Sequence, residues 1–273
     1  MAPVMRSGGV GVRALAVLES VVGYALGGAF YLLGALRRSK PLHPRGAVFQ
    51  AHVHRHGSVP AWGVRWLDTS GEDPALVRFS RSVGLPDRLP DILGLAIRIQ
   101  HDGHPVDLLL STSGRRPLTR FLLRPRRRPS GLYGTLFPYR APRSPVLLAA
   151  IPQTLRPLPA SLGGLAAAVD RTPMRFQLAC ASPGGRWRPF ATLAITGPAT
   201  SDIDPPISFD PIRNPPPGLE HYGWSVRLRG PAYAGARRSR NANRTAASAR
   251  ARSMSYSRPW TATIWTGRRI SPR

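Results

Sequence analysis

Lysine is almost missing from this chain. Lys40 is the only one, so nearly all of the 39 basic residues are arginines. Acidic residues are also scarce, 13 in all, and the formal net charge is +26. Most arginines therefore have no carboxylate available and must face water, backbone carbonyls or anionic partners. Abundant Arg, Pro, Gly and Ala beside so little Lys matches the coding bias of a GC-rich genome, so part of the basicity reflects base composition. Cysteine is nearly absent as well. Cys180 stands alone, which excludes an intrachain disulfide and fits a reducing, cytoplasmic compartment. It sits in the apolar run Phe176–Ala181, which predicts a buried, inert thiol.

A long hydrophobic run is lacking too. Ser20 to Leu36 carries no charge, and Arg37, Arg38 and Lys40 follow. The stretch falls slightly short of the roughly 20 residues that span a bilayer. Two readings stand: a helix packed on the domain, or a membrane-associated anchor with a positive flank. No convincing small-residue cleavage site marks a secretory signal. Residues 1–41 are thus read as an apolar N-terminal helix and a basic linker. Residues 241–273 are basic, lack acidic partners and lose apolar patterning, although Trp260 and Trp265 remain. They are expected to form a disordered, dispensable tail. Its arginines make nucleic acid a weaker partner expectation. The sequence leaves oligomeric state open.

Between these ends the chain reads as short strands. From Arg45 to His56, Ala47, Phe49, Ala51 and Val53 fall on one register and Gln50, His52, His54 and His56 on the other. Ala75–Ser80, Leu93–Gln100 and Asp107–Ser111 are further strands, punctuated by Gly84, Pro86, Pro90 and Gly103. Pro145 to Val169 mixes Leu and Ala with prolines and predicts a short helix. Arg175–Ala181 and Trp187–Thr196 flank Pro183-Gly-Gly185 as a hairpin. Asp204 to Gly218 is dense in proline and predicts an extended loop or surface wrap. The fold class is α+β: an antiparallel β-barrel with peripheral helices and the N-terminal helix.

Four blocks in order carry a resemblance. The first is Leu42-His-Pro-Arg-Gly-Ala47. The second is Val77-Arg-Phe-Ser80 with Gly84 and Pro90–Arg98. The third is Gly103 with Asp107–Thr112, and the fourth is Arg229-Gly-Pro-Ala-Tyr233 with Arg237. Over residues 42–240 the chain resembles the catalase-like haem-binding superfamily, as a compact member. The resemblance implies haem b as cofactor and a peroxide or small organic hydroperoxide as substrate. It makes His43 the distal base, with Ser80 supporting it. It gives Arg78 to a haem propionate, and Tyr233 to the haem iron with Arg229 as partner. Ser111 or Thr112 stands where the family carries a distal asparagine. That departure implies weak catalase turnover at most.

Other readings of the same residues stay open. His43 also suits an ordinary loop histidine, and Tyr233 a packing tyrosine. Arg78 also suits an ion pair with Asp91 or Asp107. His52, His54 and His56 share one strand face, with Asp68 and Asp73 within reach of a hairpin. Such a set could bind zinc or manganese and activate water for phosphodiester hydrolysis, or it could be the polar face of an edge strand. A third class is a non-enzymatic binder: the same shell without haem, docked on nucleic acid or membrane by its arginines.

Overall fold

The computed structural model describes residues 46–153, 156–199 and 207–229. Alternation of apolar and polar residues builds most of it. Strand β1 (Gly46–His56) pairs antiparallel with β2 (Ser70–Arg81), which pairs with β3 (Leu93–His101), and β3 with β4 (His104–Thr112). The short β5 (Tyr133–Gly134) links β4 to β7 (Pro145–Pro152). Strand β7 pairs with β8 (Met174–Ala181), β8 with β9 (Arg188–Pro198), and β9 returns to β1. The ring of pairings closes an eight-stranded antiparallel barrel, which leaves no free edge among these strands. Two short strands, β6 (Tyr139–Arg140) and β10 (Glu220–His221), branch from β7.

The expected register of β1 holds. Ala47, Phe49, Ala51 and Val53 are buried, while Gln50, His52, His54 and His56 are exposed. The short helix predicted within 145–169 is present, but the segment also holds a strand that the sequence did not suggest. Residues Pro145–Pro152 form β7, and a helix follows at Leu162–Arg171. The run Val146–Ile151 is apolar without a break because both faces of β7 are largely buried, and a continuous run hides its period. The helix (α2, after the single turn α1 at Arg65–Asp68) starts where Ser161 Oγ accepts from Gly164 N. A third helical segment, α3, covers residues 223–229.

The barrel lumen is filled. Phe79 meets Phe49, Tyr133 and Phe176 with ring centroids 5.7, 6.3 and 6.1 Å apart. At the far end the inward Arg55, Asp73 and His101 form a polar plug: Arg55 Nε and His101 Nδ1 each lie 2.9 Å from an Asp73 carboxylate oxygen. The proline-dense segment after residue 206 is an ordered wrap, as expected. Asp107, fully buried, accepts from Arg98 twice at 2.7 Å, from Asp210 N and from Asn214 Nδ2.

Every described residue lies in a compact unit ending at Gly230. The predicted N-terminal helix, His43, Tyr233, Arg237 and the basic tail lie outside the described residues. No helix among the described residues is long and apolar enough to cross a membrane.

Candidate functional site

The outer face of the barrel near the β1 start carries three of the sequence-predicted residues, Arg78, Ser80 and Ser111. Successive register pairs place Gly46 opposite Ser80, Ser80 opposite Gly94, Gly94 opposite Ser111, and Ser111 opposite Gly134. Directly paired residues project to the same side. One row across five strands therefore holds nothing larger than serine. Arg78 lies one pair further along the same face of β2, opposite Val48 and Ala96. Its guanidinium reaches back over Gly46, where any Cβ would collide with it. The cation and two hydroxyls thus border a flat, small-residue surface.

The sequence also suits an ion pair of Arg78 with Asp91 or Asp107. Those carboxylates are engaged by other arginines: Asp91 lies 3.8 Å from Arg81, and Asp107 is held at 2.7 Å by Arg98.

The structure separates the two adjacent hydroxyl candidates, Ser111 and Thr112. Ser111 is on the outer row and partly exposed. Thr112, one residue on, turns to the lumen side and is fully buried, and its Oγ1 accepts from Leu93 N at 3.1 Å. The period of two forces this split, and Thr112 locks β3 to β4. Two residues beyond Ser111 the sequence reading missed Ser113. Its Oγ is buried without a hydrogen-bond partner, and it lies 2.8 Å from where a Cβ on Gly134 would stand. The signal was the alternation Ser111, Ser113 itself. A buried hydroxyl left unpaired is costly in an isolated fold, and this one borders the row.

Arg229 ends α3. Its guanidinium lies 5.0 Å from the Phe137 ring centroid and donates to His221 Nδ1 at 2.9 Å, while Nε donates to Ser225 O at 3.4 Å. His221 Nε2 donates to Pro211 O at 2.7 Å. A carbonyl on one ring nitrogen and a guanidinium on the other require the neutral Nε2–H tautomer. Burial, then the Arg229 charge, push the His221 pKa below its ordinary value, against the opposing pull of Pro211 O. His221 was not singled out in the sequence, although Tyr222 and Trp224 beside it marked an aromatic-rich stretch.

The histidine and carboxylate reading is corrected. His52, His54 and His56 do share the outer face of β1, but Asp73 points inward to Arg55 and His101. Asp68 folds back on its own loop and accepts from Ser58 Oγ and from the backbone N–H groups of Trp62, Gly63 and Val64. Burial opposes its charge, but these four bonds outweigh it and hold the carboxyl below its usual pKa. Among the described residues no group of three or more His, Cys, Asp or Glu is placed to hold a metal ion. Cys180 is buried as expected, and burial pushes its thiol up to about 12.

No protein-family model matches the sequence, and no curated protein is similar to it. Solved structures are. Catalase A from Saccharomyces cerevisiae superposes with a TM-score of 0.54 at 12% identity, over 76% of this chain and 62% of that one. A fungal catalase gives 0.52 at 12% identity, over 72% and 59%. The chain has a catalase-like fold. It spans about 60% of the length of those catalases.

Proposed function

We propose that this catalase-like protein is a haem-dependent oxidoreductase acting on hydrogen peroxide or a small organic hydroperoxide, with weak catalase activity at most. The observation that carries the reading is the row Gly46, Ser80, Gly94, Ser111 and Gly134, bordered by Arg78. A planar macrocycle needs a flat face without protruding side chains and a cation for its carboxylates. The unpaired Ser113 hydroxyl beside Gly134 also fits a face built to meet a polar group. The donor set fits haem.

Bound haem would supply the oxidising iron centre. Arg78 would pair with a propionate through its planar fork. The family resemblance gives iron ligation to Tyr233 and support of its phenolate to Arg229. A phenol with a pKa near 10 needs such help to ionise. His43 would take a proton from one peroxide oxygen and return it to the other, with Ser80 orienting its ring. Ser111 would donate a single hydrogen bond where catalases in this resemblance use an amide with longer reach. Loss of one positioned donor typically slows a polar step by roughly a hundred- to a thousandfold.

Protein made with adequate haem supply is expected to show a Soret band of about one equivalent, and Tyr233→Phe to change that spectrum or abolish haem retention. A colourless protein that fails to take up hemin would remove the reading. On the haem-loaded protein, oxygen release from peroxide is expected to be slow while oxidation of an added reductant persists. Oxygen release at the rate of a full-length catalase would show that the Ser111 substitution does not matter.

A further inference from the structure

The barrel end that carries the small-residue row also carries two outward loops. Residues 82–92 join β2 to β3, and residues 113–128 leave β4. Of the six large hydrophobic side chains that are exposed among the described residues, five stand on these loops: Val83, Leu85, Leu89, Leu118 and Leu122. Leu118 is 85% exposed. A soluble surface scatters such residues singly, and their concentration on one end marks a contact surface.

Both loops are braced. The Asp91 carboxylate accepts from the N–H groups of Val83, Gly84 and Leu85 at 2.9–3.2 Å. Arg81 donates to the carbonyls of Leu85, Pro86 and Leu89. Asp91 and Arg126 exchange two backbone hydrogen bonds, at 3.0 and 2.8 Å, which tie one loop to the other. The leucines are thus held outward by fixed backbone.

Charge distinguishes the partner. Residues 113–128 include no acidic residue, and Arg115, Arg116, Arg124, Arg127 and Arg128 are exposed between and beside the leucines. Nucleic acid would use the arginines alone and leave Leu118 and Leu122 in water. A protein groove would not need so many unpaired cations. An anionic bilayer uses both, with arginines at the phosphates and leucines at the acyl boundary. We infer that this barrel end, through residues 82–92 and 113–128, docks on an anionic lipid surface. The inference stands whether or not the chain binds haem.

The test uses the full chain. Cys180 is the only cysteine, is buried and has a raised pKa, so Leu118→Cys provides a single reactive site for an environment-sensitive fluorophore. Asp102→Cys, on the exposed β3–β4 turn at the opposite barrel end, is the control. Vesicles of phosphatidylcholine with about a third phosphatidylglycerol should blue-shift the label at residue 118, and acyl-chain quenchers should quench it, with little effect at residue 102. Reversing Arg115 and Arg116 to Glu should weaken vesicle partitioning by at least about fivefold per residue. A label at 118 that stays aqueous while the protein binds vesicles through another segment would overturn the inference. So would equal response at both positions, unchanged partitioning of the reversal variant, or a response to duplex DNA but not to vesicles.

Discussion

The inner and outer faces of the same strands do opposite work. Inside, Phe49, Phe79, Tyr133 and Phe176 pack ring against ring, mostly edge to face, and the Arg55–Asp73–His101 plug closes the far end. Outside, one residue along each strand, the row from Gly46 to Gly134 presents almost no side chain at all. Bulk on one face makes the barrel rigid, while on the other Gly46, Ser80, Gly94 and Gly134 are buried, with the Arg78 guanidinium over Gly46 and the Ser113 hydroxyl against Gly134. The pair Ser111 and Thr112 shows how sharply the division runs. Adjacent hydroxyls end up on opposite faces, one on the row and one spent on a strand-to-strand hydrogen bond.

The largest effect belongs to the inner face. Phe79→Ala empties the centre of the aromatic cluster and should cost about 3–5 kcal/mol. Urea unfolding would measure it, and a loss below about 1 kcal/mol would mean the lumen is not the stabilising core. On the outer face the expectation reverses. Ser111→Leu should change unfolding stability by less than about 1 kcal/mol, because its site is partly exposed. It should lower haem affinity at least about tenfold by placing a branched side chain on the flat row, read by hemin titration. Haem uptake equal to that of the unaltered chain would detach the row from cofactor binding.

The smallest effect sharpens the inner face itself. The Tyr133 hydroxyl is fully buried without a hydrogen-bond partner, and burial raises its pKa far above the ordinary phenol value. Tyr133→Phe removes that unmet group and keeps the ring contacts, so stability should hold or rise by about 1 kcal/mol. A clear loss would indicate that the hydroxyl has a bound partner in solution. Spectrophotometric titration should find no Tyr133 ionisation near pH 10 while the fold persists.

Much of this was legible in the residues. The alternation in Gly46–His56 fixed which side chains of β1 face inward, because a strand's period is two and water selects the polar face. Pro183-Gly-Gly185 announced a hairpin through turn chemistry, and the isolation of Cys180 in an apolar run announced its burial. Pro145–Pro152 was not legible as a strand, since a segment buried on both sides shows no period to read.

The sequence by itself determined the strands whose apolar residues stand between turn signals, the inward face of β1, the basic excess, and the order of Arg78, Ser80, Ser111 and Arg229. Register was decided only by the tertiary structure. Whether five small residues from five strands meet in one row depends on how each strand slides against its neighbour, and long-range pairing sets that offset. The same closure decided that Asp68 and Asp73 turn away from the His52–His56 face, that Arg98 and Arg81 take the carboxylates once open to Arg78, and that the leucines of two loops distant in sequence share one end of the barrel.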